Sequence, residues 1–323
     1  MQDLLATYYD IQTEGTVVLD NRYGNKNGEY IYFIISADNK EAIHMEQAAL
    51  AYYLAENNYH HTALPIQTRH GDWFLEYQGK HYLVLQVNLL GERNPSSPGR
   101  QLAEFHELGA TYRYEPQKIS SYGQWKQLWI NKLTGFEKKL SQEAEEHPCD
   151  YYRRVKDAFP YIIGLSENAI QYVQETEQEY RFDNADQGTI AFKRYQDSIT
   201  KPVIWTDRLV YDHPVRDLAE HVRYLFLQDG NKKNDLNLFL HDYQSIRPLS
   251  VFSWRLLYAR LIFPIHLFDV LERGFNQEDS DLLDQELAHL LAKQTVYEKR
   301  LGEFFDDLGI DHQGLQIPVL HWV

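Results

Sequence analysis

Fourteen histidines, one cysteine and a surplus of carboxylates are the residues here whose spacing could make a reactive site. No His-Glu-x-x-His and no Cys/His cluster with ligand spacing occurs, so no metal site is expected. His60 and His61 are adjacent, and neighbouring residues rarely converge on one ion, so they read as loop histidines. Cys149 follows the acidic run Glu143-Ala144-Glu145-Glu146, which would raise a thiol's pKa rather than activate it. There is no Gly-x-Ser-x-Gly elbow, no phosphate-cradling Gly-rich loop ending in Lys-Ser/Thr, and no Gly-x-Gly-x-x-Gly fingerprint. The familiar motifs therefore point to no enzyme.

The elements that would position a site follow from hydrophobic periodicity. Gly15–Leu19 is a short β-branched run, and Asp20 to Gly28 is rich in turn residues. Glu29–Ser36 is an aromatic and β-branched strand, too continuously apolar for a surface edge. Lys40–Asn57 carries a helical stripe (Ile43, Ala48, Ala51, Leu54, Ala55) after Asp38 and Asn39, its capping candidates. Short strands at Ile66–Arg69 and Trp73–Tyr77 lead to a last one at His81–Val87. This is an α+β lobe. The segment Asn88–Gly99 has the strongest loop composition in the chain, and the domain boundary is placed there, giving residues 1–90 and 91–323. Helices are expected at Arg100–Gly109, Gln124–Glu146 and Tyr151–Thr176. A short β pair follows near 188–205 (Gly188–Tyr195 and Pro202–Trp205), then helices at Val215–Leu227, Asp235–Gln244, Val251–Gly274 and Asp279–Leu308. The acidic runs at Glu143–Glu146 and Glu278–Asp281 read as solvated helix ends.

Charge excludes several partners. The 32 Lys+Arg against 47 Asp+Glu leave a net charge of −15, which disfavours nonspecific nucleic-acid binding and an anionic membrane surface. No run reaches the length of a membrane span; Leu249–Val270 comes nearest but carries Arg255, Arg260 and Asp269. The first residues have neither a basic region nor a long apolar run, so no signal peptide and synthesis in the cytoplasm are expected. A single cysteine fits a reducing compartment.

One constellation is more specific. The helix beginning Leu102-Ala103-Glu104-Phe105-His106 is followed by long helices, the β pair, and then Val203–Arg223, VIWTDRLVYDHPVRDLAEHVR. This order resembles the aminoglycoside phosphotransferase and homoserine-kinase type of kinase-like fold. With Val251–Gly274 as support, it resembles most the bacterial spore-coat CotS/YutH-type proteins, the YutH branch above all. The resemblance implies a protein-kinase-like two-lobed α+β fold, a small α+β N-lobe and a larger, mostly helical C-lobe.

Phosphoryl transfer needs a lysine on the phosphates, a catalytic Asp, and Asn or Asp on Mg²⁺. By the resemblance, the catalytic loop falls on Thr189–Ile199, with Phe192 at its His and Arg194 at the catalytic Asp. Arginine cannot accept a proton at neutral pH. The metal-binding Asp falls on Trp205, and an indole does not ligate Mg²⁺. Asp197 and Asp207 are the only nearby carboxylates to consider, Asp207 lying about 6–7 Å further along an extended strand. Ile34, Ile35 or Ser36 stands where the lysine is expected, which leaves Glu46 on the next helix without the partner its place suggests.

Three missing electrostatic parts imply a pseudokinase. Asp212, Pro214, Arg216 and Asp217 read as a structural turn opening a helix, with Asp217 favouring the helix dipole and Arg216 available to a carboxylate. Glu104 and His106 read as one surface and one packed residue. The resemblance implies a noncatalytic structural or interaction protein, made in the mother-cell cytoplasm, deposited in the spore coat with other coat proteins, and needing no cofactor. Its 24 tyrosines suit interfaces or oxidative crosslinks there, although most are expected in the core. The alternatives are an atypical ATP-dependent phosphotransferase on a small metabolite, with Mg-ATP held through Asp197 or Asp207, and a nucleotide-binding pseudokinase sensor.

Overall fold

The computed structural model describes residues 2–88, 96–146, 149–179, 183–275 and 280–320. The chain divides into two compact units, Met1–Ser120 with Gly188–Asp212, and Ser121–Gln187 with His213–Val323. The first takes in the expected 1–90 lobe, and also residues 96–120 and 188–212 that the sequence reading assigns to the C-lobe. Two contacts account for this: Thr62 and Ile204 form a parallel bridge, and the helix α3 (Pro98–Ala110) packs on strand β7 (Thr189–Phe192). Most of the Asn88–Gly99 loop lies outside the described residues.

In the first unit, helix α1 (Gln2–Tyr9) precedes strands β1 (Gly15–Leu19), β2 (Arg22–Asn27) and β3 (Tyr30–Ser36), helix α2 (Glu41–Glu56), and strands β4 (Leu64–Ile66), β5 (Leu75–Tyr77) and β6 (Lys80–Asn88). The sheet runs β1-β2-β3-β6-β4, with β5 also on β6, and every pairing is antiparallel. Most of the turn expected over residues 20–28 is strand β2. Asp20 and Asn21 turn, both with left-handed backbone (φ 48° and 61°), closing a two-residue hairpin in which Leu19 faces Arg22, and Gly28 (φ 57°) begins the turn into β3. Asn and Asp tolerate that conformation, and it matches the twist of paired strands. Gly24 sits inside β2 because a Cβ there would come within 2.5 Å of Ile31 and 2.6 Å of Phe33.

Strand β3 is buried on both faces. Ile31 and Phe33 join Leu85 and Val87 on one side; Tyr32 joins Leu4, Leu5 and Tyr9 of α1 on the other. That explains its unbroken apolar run. The expected caps of α2 serve other ends: the N-cap residue is Lys40, Asp38 accepts the His81 amide at 2.5 Å, and Asn39 takes a left-handed φ of 56°.

Strand β7 pairs with β8 (Leu209–Asp212), not with Pro202–Trp205. Pro202 has no N–H for a ladder, residues 203–205 make one isolated bridge, and a 3-10 turn at Thr206–Arg208 separates them from β8.

The second unit is helical: α4 (Trp125–Glu146), α5 (Asp150–Glu179), α6 (Val215–Leu227), α7 (Lys233–Gln244), α8 (Val251–Ile262), α9 (Ile265–Gly274), α10 (Ser280–Gly302) and α11 (Phe304–Asp307). The single helix expected over Val251–Gly274 breaks at Pro264, and its halves bend by 41°. Among the described residues no single helix is long and apolar enough to cross a membrane. The bent pair α8–α9 passes on length and composition, and its Leu257, Leu261, Leu267 and Phe268 are fully buried in this unit. The last expected helix ends at Gly302 and resumes as α11; of the acidic run Glu278–Asp281, residues 278 and 279 lie outside the described residues.

Candidate functional site

The resemblance sets the phosphoryl-transfer positions at the end of β7 and in the segment after it. Phe192 is buried and stacks on Phe105 of α3, with centroids 5.1 Å apart and planes 19° apart. Arg194 is half-buried and donates Nη1 to the Lys193 carbonyl at 3.1 Å. Asp197 takes a left-handed φ of 52° and opens the 3-10 turn Ser198–Thr200, its carbonyl accepting the Thr200 amide and hydroxyl.

Trp205 lies in the apolar cluster beneath the sheet, edge-on to Phe33 at 4.8 Å. Its Nε1 donates to Asp20 Oδ2 at 2.7 Å, and the Arg22 guanidinium lies over its ring at 4.2 Å. Arg22 also grips Asp207 with two parallel bonds of 2.9 and 3.0 Å. The β1–β2 hairpin thus meets the metal-Asp position through a turn carboxylate and a strand guanidinium. A space of about 720 Å³ opens beside it, lined by Arg22, Tyr23, Asn25 and Phe33 among others.

Helix α2 supports the same segment from another side. Gln47 is fully buried and donates Nε2 to the carbonyls of Asp207 and Leu209, both at 3.0 Å. Lys193 Nζ donates to the Asp207 carbonyl as well, at 2.8 Å. His44, one turn before Gln47, is buried; burial pushes its pKa down, while the Asp207 charge pulls it back up. Strand β3 itself supplies no lysine: Ile34 and Ile35 pack into the two sheet clusters, and Ser36 donates to Asp38 at 3.3 Å. Glu46 is not left alone as the sequence suggested. Its two carboxylate oxygens accept the amides of Gln117, Lys118 and Ile119 at 2.7–3.1 Å, a loop of the same unit.

Asp212 ends β8 fully buried. In the second unit Pro214 is the N-cap of α6, Asp217 is buried in its first turn, and Arg216 donates to Ser121 Oγ at 2.9 Å. His106 is packed, while Glu104 accepts from Arg100 at 3.2 Å on the helix surface. A carboxylate that sequence reasoning missed, Asp186, anchors the second unit. It accepts Ser253 Oγ at 2.6 Å, Ser250 Oγ at 2.7 Å and the Asp183 amide at 2.7 Å, with His213 Nε2 at 3.5 Å. Burial opposes its ionisation, but these donors outweigh it and hold its pKa at about 2.

Asp20, Arg22 and Gln47 were not singled out by sequence reasoning either. The Asp20-Asn21 pair was the legible signal for a tight hairpin. Nothing local ties that hairpin to Trp205.

The profile of the family described as "Spore coat putative kinase YutH" matches residues 2–304. The chain is 35% identical over 289 residues to the endospore coat-associated protein YutH of Bacillus subtilis (strain 168), covering 85% of this chain and 83% of that one. Among solved structures it is similar to an aminoglycoside phosphotransferase from Alicyclobacillus acidocaldarius, with a TM-score of 0.64, 11% identity and 96% of each chain covered. A microcompartment-associated aminopropanol kinase gives a TM-score of 0.59 at 13% identity, over 95% of this chain and 97% of that one. The fold is therefore that of the kinase-like phosphotransferases, as the resemblance implied.

Proposed function

The chain belongs to the spore-coat YutH family, and we propose that it serves the coat as a noncatalytic structural or interaction protein, a pseudokinase. The observation that carries this reading is the contact of Arg22 with Trp205 and Asp207. Where an active phosphotransferase would present a carboxylate to Mg²⁺, this chain presents an indole, and the acid two residues on is held by an arginine. Such residues do not fit a magnesium-bound phosphate: the cation already beside Asp207 is the protein's own. The Arg194 guanidinium, at the catalytic-Asp position, has no lone pair to take a proton from a substrate hydroxyl.

The reading places the protein among other coat proteins, where its fold contributes surface rather than turnover. The atypical-phosphotransferase alternative needs Asp197 or Asp207 as metal ligand or base. The test is to replace a spore-former's own family member with this chain carrying Asp197→Asn and Asp207→Asn, after thermal unfolding has shown the variant folded. The noncatalytic reading expects coat incorporation equal to the parent chain's. Loss of incorporation by a folded double variant would overturn it.

A further inference from the structure

In the second unit, four rings surround a small space: Tyr122 just before α4, Trp125 at its start, Phe252 in the first turn of α8, and His213 just before α6. The His213 ring lies 6.4 Å from Tyr122 with planes 12° apart, 6.3 Å from Trp125 and 6.0 Å from Phe252. The space measures about 20 Å³, room for one water-sized group. Glu177, in the last turns of α5, lines it as well.

The charge arrangement points to a cation. His213 Nδ1 accepts the Val215 amide at 3.3 Å, and its Nε2 lies 3.5 Å from Asp186 Oδ1. Glu177 is exposed and makes no hydrogen bond or ion pair among the described residues; the desolvation it does undergo raises its carboxyl above the ordinary value, and the Lys126 charge lowers it. A carboxylate beside ring-walled space is the complement of an ammonium ion, which ring quadrupoles also attract. Arg260 already lies over Trp125 at 4.7 Å, so Trp125 acts as a wall, and the attraction rests on Tyr122, Phe252 and chiefly Glu177.

We propose that this space is a binding site for a primary ammonium group, which enters beside Glu177 and is enclosed by Tyr122, Phe252 and His213. Its size sets the selectivity: an –NH₃⁺ tip is water-sized, whereas a trimethylated nitrogen is not. The same tip occurs on a free alkylamine and on a lysine side chain of a partner protein. None of the phosphoryl-transfer positions takes part, so failure here leaves the coat reading untouched.

Calorimetric titration at fixed ionic strength tests the site, with three probes: n-butylammonium chloride, Nα-acetyl-lysine amide and tetramethylammonium chloride. A primary ammonium is expected to bind with a Kd on the order of 1–10 mM, and Glu177→Gln is expected to weaken it about tenfold. Tetramethylammonium is expected to give no heat. Butylammonium binding alone assigns the site to free amines; comparable binding of the lysine derivative assigns it to a partner's lysine. The proposal is overturned if neither primary ammonium binds by about 50 mM, far above that range. It is equally overturned if tetramethylammonium binds as well, or if folded Glu177→Gln binds like the parent.

Discussion

The indole nitrogen of Trp205 donates to the carboxylate of Asp20 at 2.7 Å, joining residues 185 positions apart. A buried indole N–H needs an acceptor, and here it comes from the left-handed turn between β1 and β2. The β1–β2 hairpin is thereby fastened to the segment that carries Trp205 and Asp207.

Removing that fastening has a graded cost. Trp205→Ala empties a site under the sheet and should destabilise the protein by roughly 3–5 kcal/mol. Asp20→Ala keeps the ring but strands its N–H, at about 1–3 kcal/mol. Denaturant unfolding of both single variants and the double should show the effect of Asp20→Ala vanish once Trp205 is gone.

Arg22 and Asp207 are each about one quarter exposed or less, with side-chain values of 21% and 24%. Their two-bond geometry favours the pair, but solvent screening limits its net worth to about 1 kcal/mol. A double-mutant cycle with Arg22→Met and Asp207→Asn should return a coupling of that size, shrinking as salt rises from low to high ionic strength.

Gln47 has no such screening. Gln47→Leu leaves the carbonyls of Asp207 and Leu209 without the donor they share. Thermal unfolding should register a loss of roughly 1–3 kcal/mol. A change near zero would mean that Lys193, which already donates to Asp207, carries the segment alone.

How far the sequence foretold all this depends on range. Strands β1, β3 and β6 and helices α2 and α6 were legible because their apolar patterns match one period over enough residues. Helix α1 was not: eight residues are too few to hold a helix alone, and it stands only through Leu4, Leu5 and Tyr9 packed on the sheet. The apolar run Val203-Ile204-Trp205 invited a strand, yet the ladder forms four residues later, where β8 meets β7. At the site, the identities of Arg194 and Trp205 were readable by register. Asp20 and Arg22, which meet Trp205, and Gln47, which holds the Asp207 carbonyl, were not, since each of these bonds spans more than 150 residues in the chain.

Acid stability follows from the buried histidines. His266 is buried against Gln294, and desolvation, helped by the Arg223 charge, lowers its pKa to about 4. His44 and His61 are also lowered, again mainly by burial. The unfolded chain therefore binds protons first as pH drops below about 6.5, and stability should fall from there to about pH 4, His266 alone contributing roughly 3 kcal/mol. Asp186, held near 2, adds to the loss only below the ordinary Asp value of 3.8. His266→Gln should flatten the limb between pH 6.5 and 4; an unchanged limb would assign it to other groups.

The central claim is that the phosphate position is filled by the chain's own side chains, and nucleotide-dependent thermal unfolding tests it most directly. The protein is melted alone, with Mg²⁺, and with millimolar Mg-ATP or Mg-GTP. A nucleotide present at about 100 times its Kd would add about 2.7 kcal/mol and move the midpoint by several degrees. The account predicts no shift beyond that given by Mg²⁺ alone. A Mg²⁺-dependent rise with either nucleotide would contradict it, and would mean that the hold of Arg22 on Trp205 and Asp207 opens to admit phosphate.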